Sequence, residues 1–218
     1  EADRRTTLPG LYAAGDVAGG APYKFVSGCW AEGVIAARAA VEYVKSAPAV
    51  TAAHERELCD QIEAFRERVF APLARHETEG VGFTPQEMEE RLQRVMDQYA
   101  GGVSSFYEMN EERLEVAEKQ LQSLRSQVKH LLARDLHELM QAHEVLDRLE
   151  VAEVLVRHLR YRKETRWPAY QSRLDYPHLD DRHWLKFVNS RRDPRTGAIE
   201  IVERPYQQLV PGDRYLPK

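Results

Sequence analysis

The chain has 218 residues, a length that corresponds to one or two domains of ordinary size. Lys and Arg total 31 against 35 Asp and Glu, so the formal net charge is -4 and no basic field argues for nucleic-acid binding. No apolar run approaches the roughly 18 residues needed to cross a bilayer, so no transmembrane segment is predicted. Hydrophobic residues make up 43% and charged residues 30%, a composition typical of a globular protein with charged helices.

The cysteine and histidine spacings argue against a metal site. Cys29 and Cys59 lie thirty residues apart without a CxxC motif, so we expect neither a zinc site nor an iron–sulfur cluster built wholly from this chain. Unpaired thiols and the lack of an opening signal peptide favour a reducing cytoplasm. His130, His137 and His143 form no HExxH pattern, and surface or capping positions account for them.

Residues 1–48 are the glycine-rich part of the chain, with six of the 12 glycines. The short apolar run 11–14 ends at Gly15-Asp16 and predicts a buried strand of the parallel type. After a glycine-rich turn, an alanine-rich stretch from about Cys29 to Val44 predicts a helix with Ser27 as its N-cap. Because the chain begins at Glu1 inside such a strand-and-turn unit, we expect it to be a fragment.

Residues 49–162 predict an antiparallel helical bundle, because apolar residues recur at spacings of three and four. The first stripe runs from Leu58 to Leu73. The stretch 84–87, Thr-Pro-Gln-Glu, is a capping box with proline at the first helical position, and it opens the second helix. A third helix follows Asn110, and a fourth carries the stripe from Leu139 to Leu159.

Residues 163–218 are rich in aromatic residues, arginines and prolines and have no helical period. The stretches 184–188 and 198–202 alternate as strands do, and the Asp-Pro-Arg-Thr-Gly sequence at 193–197 is favourable for a turn. We therefore predict a β-hairpin, followed by an extended arm over residues 205–218.

The dipeptide Gly15-Asp16 is the strongest candidate for a ligand contact. A buried strand that ends here brings one carboxylate to the carboxyl edge of a parallel sheet, where ligands bind in such folds. Gly15 lets the backbone approach a ligand, and Asp16 can accept hydrogen bonds from a sugar or ribitol hydroxyl. The alternative is an ordinary turn in which Asp16 caps the next element. Spacing alone does not decide between the two.

Two stretches near this dipeptide carry a family resemblance. Residues 7–16, a threonine and then an apolar strand ending in Ala-Ala-Gly-Asp, resemble the second FAD-contact motif of flavoproteins with two dinucleotide-binding domains. This implies that Asp16 binds the flavin ribitol. Residues 24–33, Lys-Phe-Val-Ser-Gly-Cys-Trp-Ala-Glu-Gly, resemble the loop and helix start of adenylylsulfate reductase alpha subunits, relatives of the fumarate reductase and succinate dehydrogenase flavoproteins.

The resemblance also implies a flavin contact at the helix start. A helix that opens near Gly28 presents free N–H groups and the positive end of its dipole, which would stabilise the anionic reduced flavin at its N1/O2 edge. The alternative is that Ser27 caps a helix that only packs. Lys24 stands roughly where fumarate reductases have an arginine, and it contacts an anionic substrate or the flavin, or is simply solvated. No catalytic residue is predicted, and the predicted cofactor-binding residues are Gly15, Asp16, Lys24, Ser27, Gly28 and Cys29.

A second resemblance lies in the arginine-rich segment. Residues 164–166 (Glu-Thr-Arg), 173–177 (Arg-Leu-Asp-Tyr-Pro) and 180–184 (Asp-Asp-Arg-His-Trp) are similar to a series in the fumarate reductase and succinate dehydrogenase family. Two additional residues before the Asp-Tyr-Pro, and Trp167-Pro168 in place of Gly-Ala, point toward the adenylylsulfate reductase branch. We expect the Arg/Asp network to be structural and to fix the helical domain against the flavin domain.

These resemblances imply a mainly α fold, with the C-terminal edge of an α/β FAD-binding domain (1–48), a helical bundle domain (49–162) and a segment with a small β-hairpin and extended tail (163–218). No GxGxxG follows a strand, and the family's N-terminal half and capping domain are absent. We therefore expect the isolated chain to bind FAD weakly or not at all, and to be inactive alone.

The activity that the resemblance implies is that of a C-terminal fragment of an FAD-dependent oxidoreductase of sulfur metabolism. It would act on a small-molecule substrate, reducing adenylylsulfate with two electrons to sulfite and AMP, or the reverse. Electrons would pass through a separate iron–sulfur subunit. One alternative is a fumarate reductase or succinate dehydrogenase type of flavoprotein, which acts on dicarboxylates. Another is a non-catalytic helical interaction module, whose charged bundle faces and aromatic arm from Tyr206 to Tyr215 dock a partner.

Overall fold

The computed structural model describes residues 2–18, 25–49, 51–78, 81–167, 170–193 and 195–206. The chain divides into two compact units, Glu1–Glu63 and Ala64–Lys218. The first boundary predicted from the sequence, after residue 48, and the second, after residue 162, stay predictions. Within the described ranges, no helix is both long enough and apolar enough to span a membrane.

The described residues are mainly helical, as predicted, with one short parallel strand pair and one antiparallel hairpin. In chain order, the helical elements are the 3₁₀ turn Gly15–Ala18, α1 (Phe25–Ser46), α2 (Ala52–Thr78), α3 (Pro85–Tyr99), the 3₁₀ turn Val103–Ser105, α4 (Glu111–Gln127), the 3₁₀ turn Val128–His130, α5 (Leu136–Tyr161) and α6 (Asp181–Trp184). The strands are β1 (Glu108–Met109), β2 (Ser172–Arg173), β3 (Lys186–Arg192) and β4 (Ile199–Pro205).

The first unit opens with an extended segment that folds back on itself. Arg5 and Tyr12 form an isolated antiparallel bridge, and the N–H of Ala13 donates to the carbonyl of Arg4 at 3.0 Å. The predicted buried parallel strand at 11–14 is therefore wrong for the described residues, and Leu11 is about half exposed. A parallel strand needs a neighbouring strand on its flank, and the described part of this unit supplies none, so the segment pairs only locally.

The helix predicted from about Cys29 to Val44 is confirmed as α1, but it starts earlier. Because α1 begins at Phe25, Ser27 is its third residue, and the prediction of Ser27 as N-cap is wrong. The N–H groups in the first turn of a helix make no intrahelical hydrogen bonds. Serine or glycine at these positions therefore disrupts no such bond.

The stripe from Leu58 to Leu73 lies on a helix, as predicted, but only its end is covered. Leu58, Ile62 and Phe65 of α2 are exposed, while Val69 and Leu73 are half-buried in the second unit. Pro72, also of α2, is buried, and its carbonyl accepts the N–H of Ala133 at 3.0 Å.

Helices α3, α4 and α5 form the core of the second unit. Each begins at a polar cap. Thr84 forms the predicted capping box at the start of α3. The side chain of Asn110 accepts the N–H of Arg113 at the start of α4, and that of Asp135 accepts the N–H of Glu138 at the start of α5. Apolar residues at helical spacing on the facing sides pack together and exclude water. The buried members are Met88, Leu92, Val95, Ala100, Met109, Leu114, Ala117, Leu121, Leu124, Leu131, Ala142, Val145, Leu149, Ala152, Val156 and Leu159.

The predicted hairpin is confirmed and is longer than expected. Strands β3 and β4 pair antiparallel, and the Asp193 carboxylate closes the turn by accepting the N–H groups of Arg195 and Thr196 at 2.7 and 3.0 Å. Trp184 was expected in the first strand, but Asp180 caps a short helix that includes it. Of the predicted arm 205–218, residues 207–218 lie outside the described residues.

Charged side chains hold the hairpin on α5. Arg192 of β3 contacts Glu150 at 2.7 Å and Glu153 at 3.3 Å. A cross-strand pair joins Arg191 to Glu200 at 2.7 Å. Among the described residues, neither strand of this hairpin has a second neighbour.

Replacing Leu114 by alanine is expected to destabilise the second unit by about 2–5 kcal/mol, because this α4 side chain is 0% exposed and its removal leaves a cavity in the helical core. The measurement is urea unfolding followed by circular dichroism. Leu136→Ala is the matched control, since Leu136 is 67% exposed, and its effect should stay below about 1 kcal/mol. Equal effects of the two substitutions would contradict the assignment of the core.

Candidate functional site

An open groove in the first unit runs along one face of α1 and ends at Asp16. Its volume is about 880 Å³, within the usual range for a bound cofactor or ligand. The wall is mostly apolar, and Trp30 is 75% exposed. Large exposed apolar side chains gathered on one face mark a binding surface. The lining residues are Asp16, Phe25, Val26, Cys29, Trp30, Gly33, Val34 and Ala37.

The turn at Gly15 brings Asp16 to the end of this groove. Gly15 is buried with a φ of +77°, and a Cβ added to it would lie 3.3 Å from the Cys29 Sγ. A positive φ and so close a neighbour together require glycine at this position. The Cys29 thiol in turn lies 3.9 Å from the Asp16 Oδ1, at the limit of a weak hydrogen bond. The exposed carboxylate of Asp16 is left at the end of the groove, available to a hydroxyl group.

The predicted site residues are only partly brought together. Gly15, Asp16 and Cys29 meet at the end of the groove. Ser27 and Gly28 lie in the first turn of α1 and are not among the residues that line the groove. Lys24 lies outside the described residues.

Sequence reasoning missed the apolar wall of the groove. Val26, Trp30, Val34 and Ala37 recur at spacings of four, four and three, which places them on one helix face. That stripe was the available signal, and it was hidden by the alanine-rich composition of the helix. Glu32 was missed as well, although a carboxylate at a position that faces inward is unusual.

A group such as FAD fits the residues present along this groove. The apolar wall suits one face or edge of a planar ring system, the Asp16 carboxylate suits a polyhydroxyl chain, and the N–H groups of the first turn of α1 suit electronegative ring atoms. There is space beside Gly33, where an added Cβ would meet no atom within 4 Å. These residues would form one wall of such a site.

The arginine-rich segment of the second unit forms a buried ionic network around Glu164. Its side chain is fully buried and accepts hydrogen bonds from Arg162, from the Arg166 Nε and Nη2 at 2.8 and 2.9 Å, and from the N–H of Asp180 at 3.0 Å. Arg166 also contacts Asp181 at 2.9 Å. Four donors saturate the carboxylate, which argues for a structural role, as predicted.

A second centre of the network is Arg173, which is 3% exposed. Asp175 binds its Nε and Nη2 at 2.8 and 2.7 Å, and the carbonyl of Leu159 accepts from Nη1. Asp175 also accepts the N–H of Glu111 at 3.0 Å. The network thus joins α4 and the end of α5 to the following loop. The network was also predicted to fix the helical domain against the flavin domain, and that role stays a prediction.

A cavity of about 270 Å³ adjoins this network. The Nε2 of His158 is buried and has no hydrogen-bond partner among the described residues, and burial, followed by the nearby Arg162, lowers the pKa of this imidazole. Glu164, Arg166 and Arg173 also line the cavity, but they are paired with one another or with neighbouring carboxylates. The groove of the first unit therefore remains the better candidate for a functional site.

Comparison with known proteins connects both units to one group of enzymes. The sequence profile of the family described as "Fumarate reductase flavoprotein C-term" matches residues 89–214. The adenylylsulfate reductase subunit alpha of Megalodesulfovibrio gigas is 30% identical over 222 aligned positions, which cover 97% of this chain and 33% of that protein.

Solved structures agree with this similarity. The adenylylsulfate reductase of Archaeoglobus fulgidus is 39% identical with a TM-score of 0.83, covering 94% of this chain and 33% of that chain. An adenosine-5-phosphosulfate reductase in complex with sulfite is 38% identical with a TM-score of 0.82 and the same coverage. The quinol fumarate reductase of E. coli shares the fold at a TM-score of 0.75 and 19% identity, covering 97% of this chain and 36% of that chain. The chain thus spans about a third of the length of these relatives.

From the network around Arg173 we predict that the second unit loses part of its free energy of unfolding in acid. Hydrogen bonds from Arg173 lower the pKa of Asp175 below its usual value of 3.8. The unfolded chain therefore takes up a proton at Asp175 before the folded chain does, and the stabilisation, complete above about pH 5, is lost as the pH falls toward about 3 and below. In Asp175→Asn, the free energy of unfolding should be lower at pH 7 and fall less between about pH 5 and pH 3, as measured by urea unfolding.

Asp147→Asn is the control for this measurement, because Asp147 is an exposed aspartate of α5 in the same unit. It should keep the acid dependence of the parent protein. An unchanged acid dependence in Asp175→Asn would contradict the contribution assigned to this carboxylate.

Proposed function

Because the chain belongs to the fumarate reductase flavoprotein C-terminal family, we propose that it is part of an FAD-dependent oxidoreductase of the adenylylsulfate reductase type. Residues 1–48 would contribute one wall of the flavin site. The observation that carries the proposal is the groove in which the apolar face of α1 meets the Asp16 carboxylate.

Each side of this groove has a distinct role in holding FAD. The Asp16 carboxylate accepts hydrogen bonds from hydroxyl groups of the ribitol chain. Trp30, Val26 and Val34 bury apolar surface of the cofactor. The N–H groups at the start of α1 donate to electronegative atoms and place the positive end of the helix dipole beside them. When bound, FAD supplies two-electron transfer, and the protein supplies binding and orientation.

The substrate proposed is adenylylsulfate, converted with two electrons to sulfite and AMP, or formed by the reverse reaction. The support is relative similarity: the adenylylsulfate reductase structures are 38% and 39% identical to this chain, whereas the fumarate reductase structure is 19% identical. The second candidate, a flavoprotein that acts on dicarboxylates, is favoured by the family profile and the shared fold alone.

A separate iron–sulfur subunit is proposed as the electron-transfer partner. The chain has two cysteines, Cys29 and Cys59, and a cluster of the usual kind needs four cysteine ligands. Both thiols are free, which also favours the reducing cytoplasm as the location.

The test of the reaction uses the full polypeptide that carries these residues. We expect a flavin absorption band in the purified protein and formation of AMP from adenylylsulfate in the presence of a reduced one-electron donor. Turnover of fumarate without AMP formation would replace the proposed reaction by the second candidate. A colourless protein without either activity would instead favour the non-catalytic helical module.

Asp16→Ala is expected to lower the flavin content of the same full-length protein roughly tenfold or more, because a charged hydrogen bond to the cofactor contributes about 1.5–3 kcal/mol. The measurement is the ratio of flavin to protein absorbance after gel filtration. Asp60→Ala is the matched control, since Asp60 is an exposed aspartate of α2 in the same unit, and it should retain the flavin. Equal flavin content in both variants would contradict the role given to Asp16.

A further inference from the structure

Glu32 is a buried carboxylate beside the turn that carries Asp16. It is 7% exposed, although glutamate is almost never fully buried unless it is paired. Its Oε2 accepts the N–H of Gly15 at 2.8 Å, and its Oε1 lies 3.2 Å from the Nη2 of Arg4. Glu32 therefore contacts both the start and the end of the segment that precedes α1.

The contact with Gly15 fixes the residue on which the turn depends. Gly15 has a φ of +77° and lies against the Cys29 side chain, so its backbone has little room to move toward α1. A carboxylate acceptor makes a stronger hydrogen bond to an N–H group than a neutral acceptor does. The peptide plane of Gly15 is thereby held, and the next residue in the chain is Asp16.

The contact with Arg4 anchors the other end of the same segment. Arg4 has a φ of +67°, and its carbonyl accepts the N–H of Ala13 at 3.0 Å. The bridge between Arg5 and Tyr12 is isolated and pairs this segment with itself alone. A segment with so few regular hydrogen bonds needs side-chain contacts to adopt a single position relative to the helix that follows it.

Stability alone does not account for a carboxylate at this position. A buried ion pair seldom stabilises more than apolar residues of similar size would, because both charges lose hydration. The contact between the two charges is 3.2 Å long, and the Arg4 Nε is buried without an acceptor among the described residues. The better account is geometric, since Glu32 gives the Gly15 N–H an acceptor with a fixed direction.

We propose that Glu32 is a positioning residue for the flavin site: it holds the N–H of Gly15 and so keeps the Asp16 carboxylate at the end of the groove. This inference rests on the proposed function for the identity of the ligand. The hydrogen bond itself does not depend on that identity. Glu32 is not among the residues that line the groove, so the effect proposed for it passes through Gly15 and Asp16.

The test compares Glu32→Gln with Glu32→Met in the full polypeptide. Glutamine has nearly the same shape and keeps an acceptor for the Gly15 N–H, whereas methionine fills the same space and offers only a weak sulfur acceptor. Hydrogen–deuterium exchange of the peptide that contains Gly15, measured without added FAD, should be about tenfold faster in Glu32→Met and close to the parent rate in Glu32→Gln.

The flavin content should follow the same order. Glu32→Met is expected to lose flavin severalfold, and Glu32→Gln to retain most of it, because the conservative variant preserves the position of Asp16. Glu42→Met is the control on the same helix, since Glu42 is exposed and pairs with Lys45, and it should change neither readout.

Two outcomes would overturn the inference. One is equal exchange and equal flavin loss in Glu32→Gln, Glu32→Met and Arg4→Gln, because the ion pair with Arg4 would then be what matters. The other is a parent-like exchange rate at Gly15 in Glu32→Met. If Asp16→Ala keeps its flavin while Gly15 exchange still accelerates in Glu32→Met, the flavin assignment fails and the positioning of the turn stands.

Discussion

The Arg173 guanidinium lies where the start of α4, the end of α5 and the parallel strand pair β1–β2 meet, and it has acceptors from several of these elements. Asp175 binds it through two oxygens, Glu111 through one, and the carbonyls of Leu159 and Arg162 accept from its Nη1. A buried cation without such partners would cost several kcal/mol. The loop after α5 is therefore fixed to the bundle at this point, and the hairpin that follows starts from a constrained position.

The ionic network around Glu164 and the groove along α1 differ in what surrounds their charged groups. Around Glu164 the charged side chains pair with one another, although the buried Oδ2 of Asp181 has no hydrogen-bond partner among the described residues. The groove along α1 has the opposite character, since Trp30 and Val26 are exposed and the carboxylate of Asp16 faces open space. Apolar surface left in water is a cost that a bound planar group removes. This contrast supports the proposal that the groove of the first unit, and not the network around Glu164, holds the ligand.

The sequence was sufficient wherever a local rule fixes the structure. The capping box at Thr84 and the turn at Asp193 were predictable, because each rests on side chains that bond backbone groups within a few residues. The run that begins at Leu11 was not, because a parallel strand exists only with a neighbour that the local sequence does not specify. The prediction of Ser27 as the N-cap was wrong, because the local sequence defines the start of a helix only to within one or two residues. The contacts of Glu32 with Gly15 and Arg4 could not be predicted, because these residues lie 17 and 28 positions away and are brought to it only by the fold.

The ion pairs of the hairpin have a consequence for association between chains. A two-stranded sheet leaves a row of unpaired backbone groups along each outer edge, and such edges are templates for pairing with another chain. Strand β3 ends in Arg191 and Arg192, and the opposite strand contains Glu200. Bringing a second strand alongside would require these charged side chains to give up water or their present partners, Glu150 and Glu153 among them. The residues that attach the hairpin to α5 therefore also protect its open edges from aggregation.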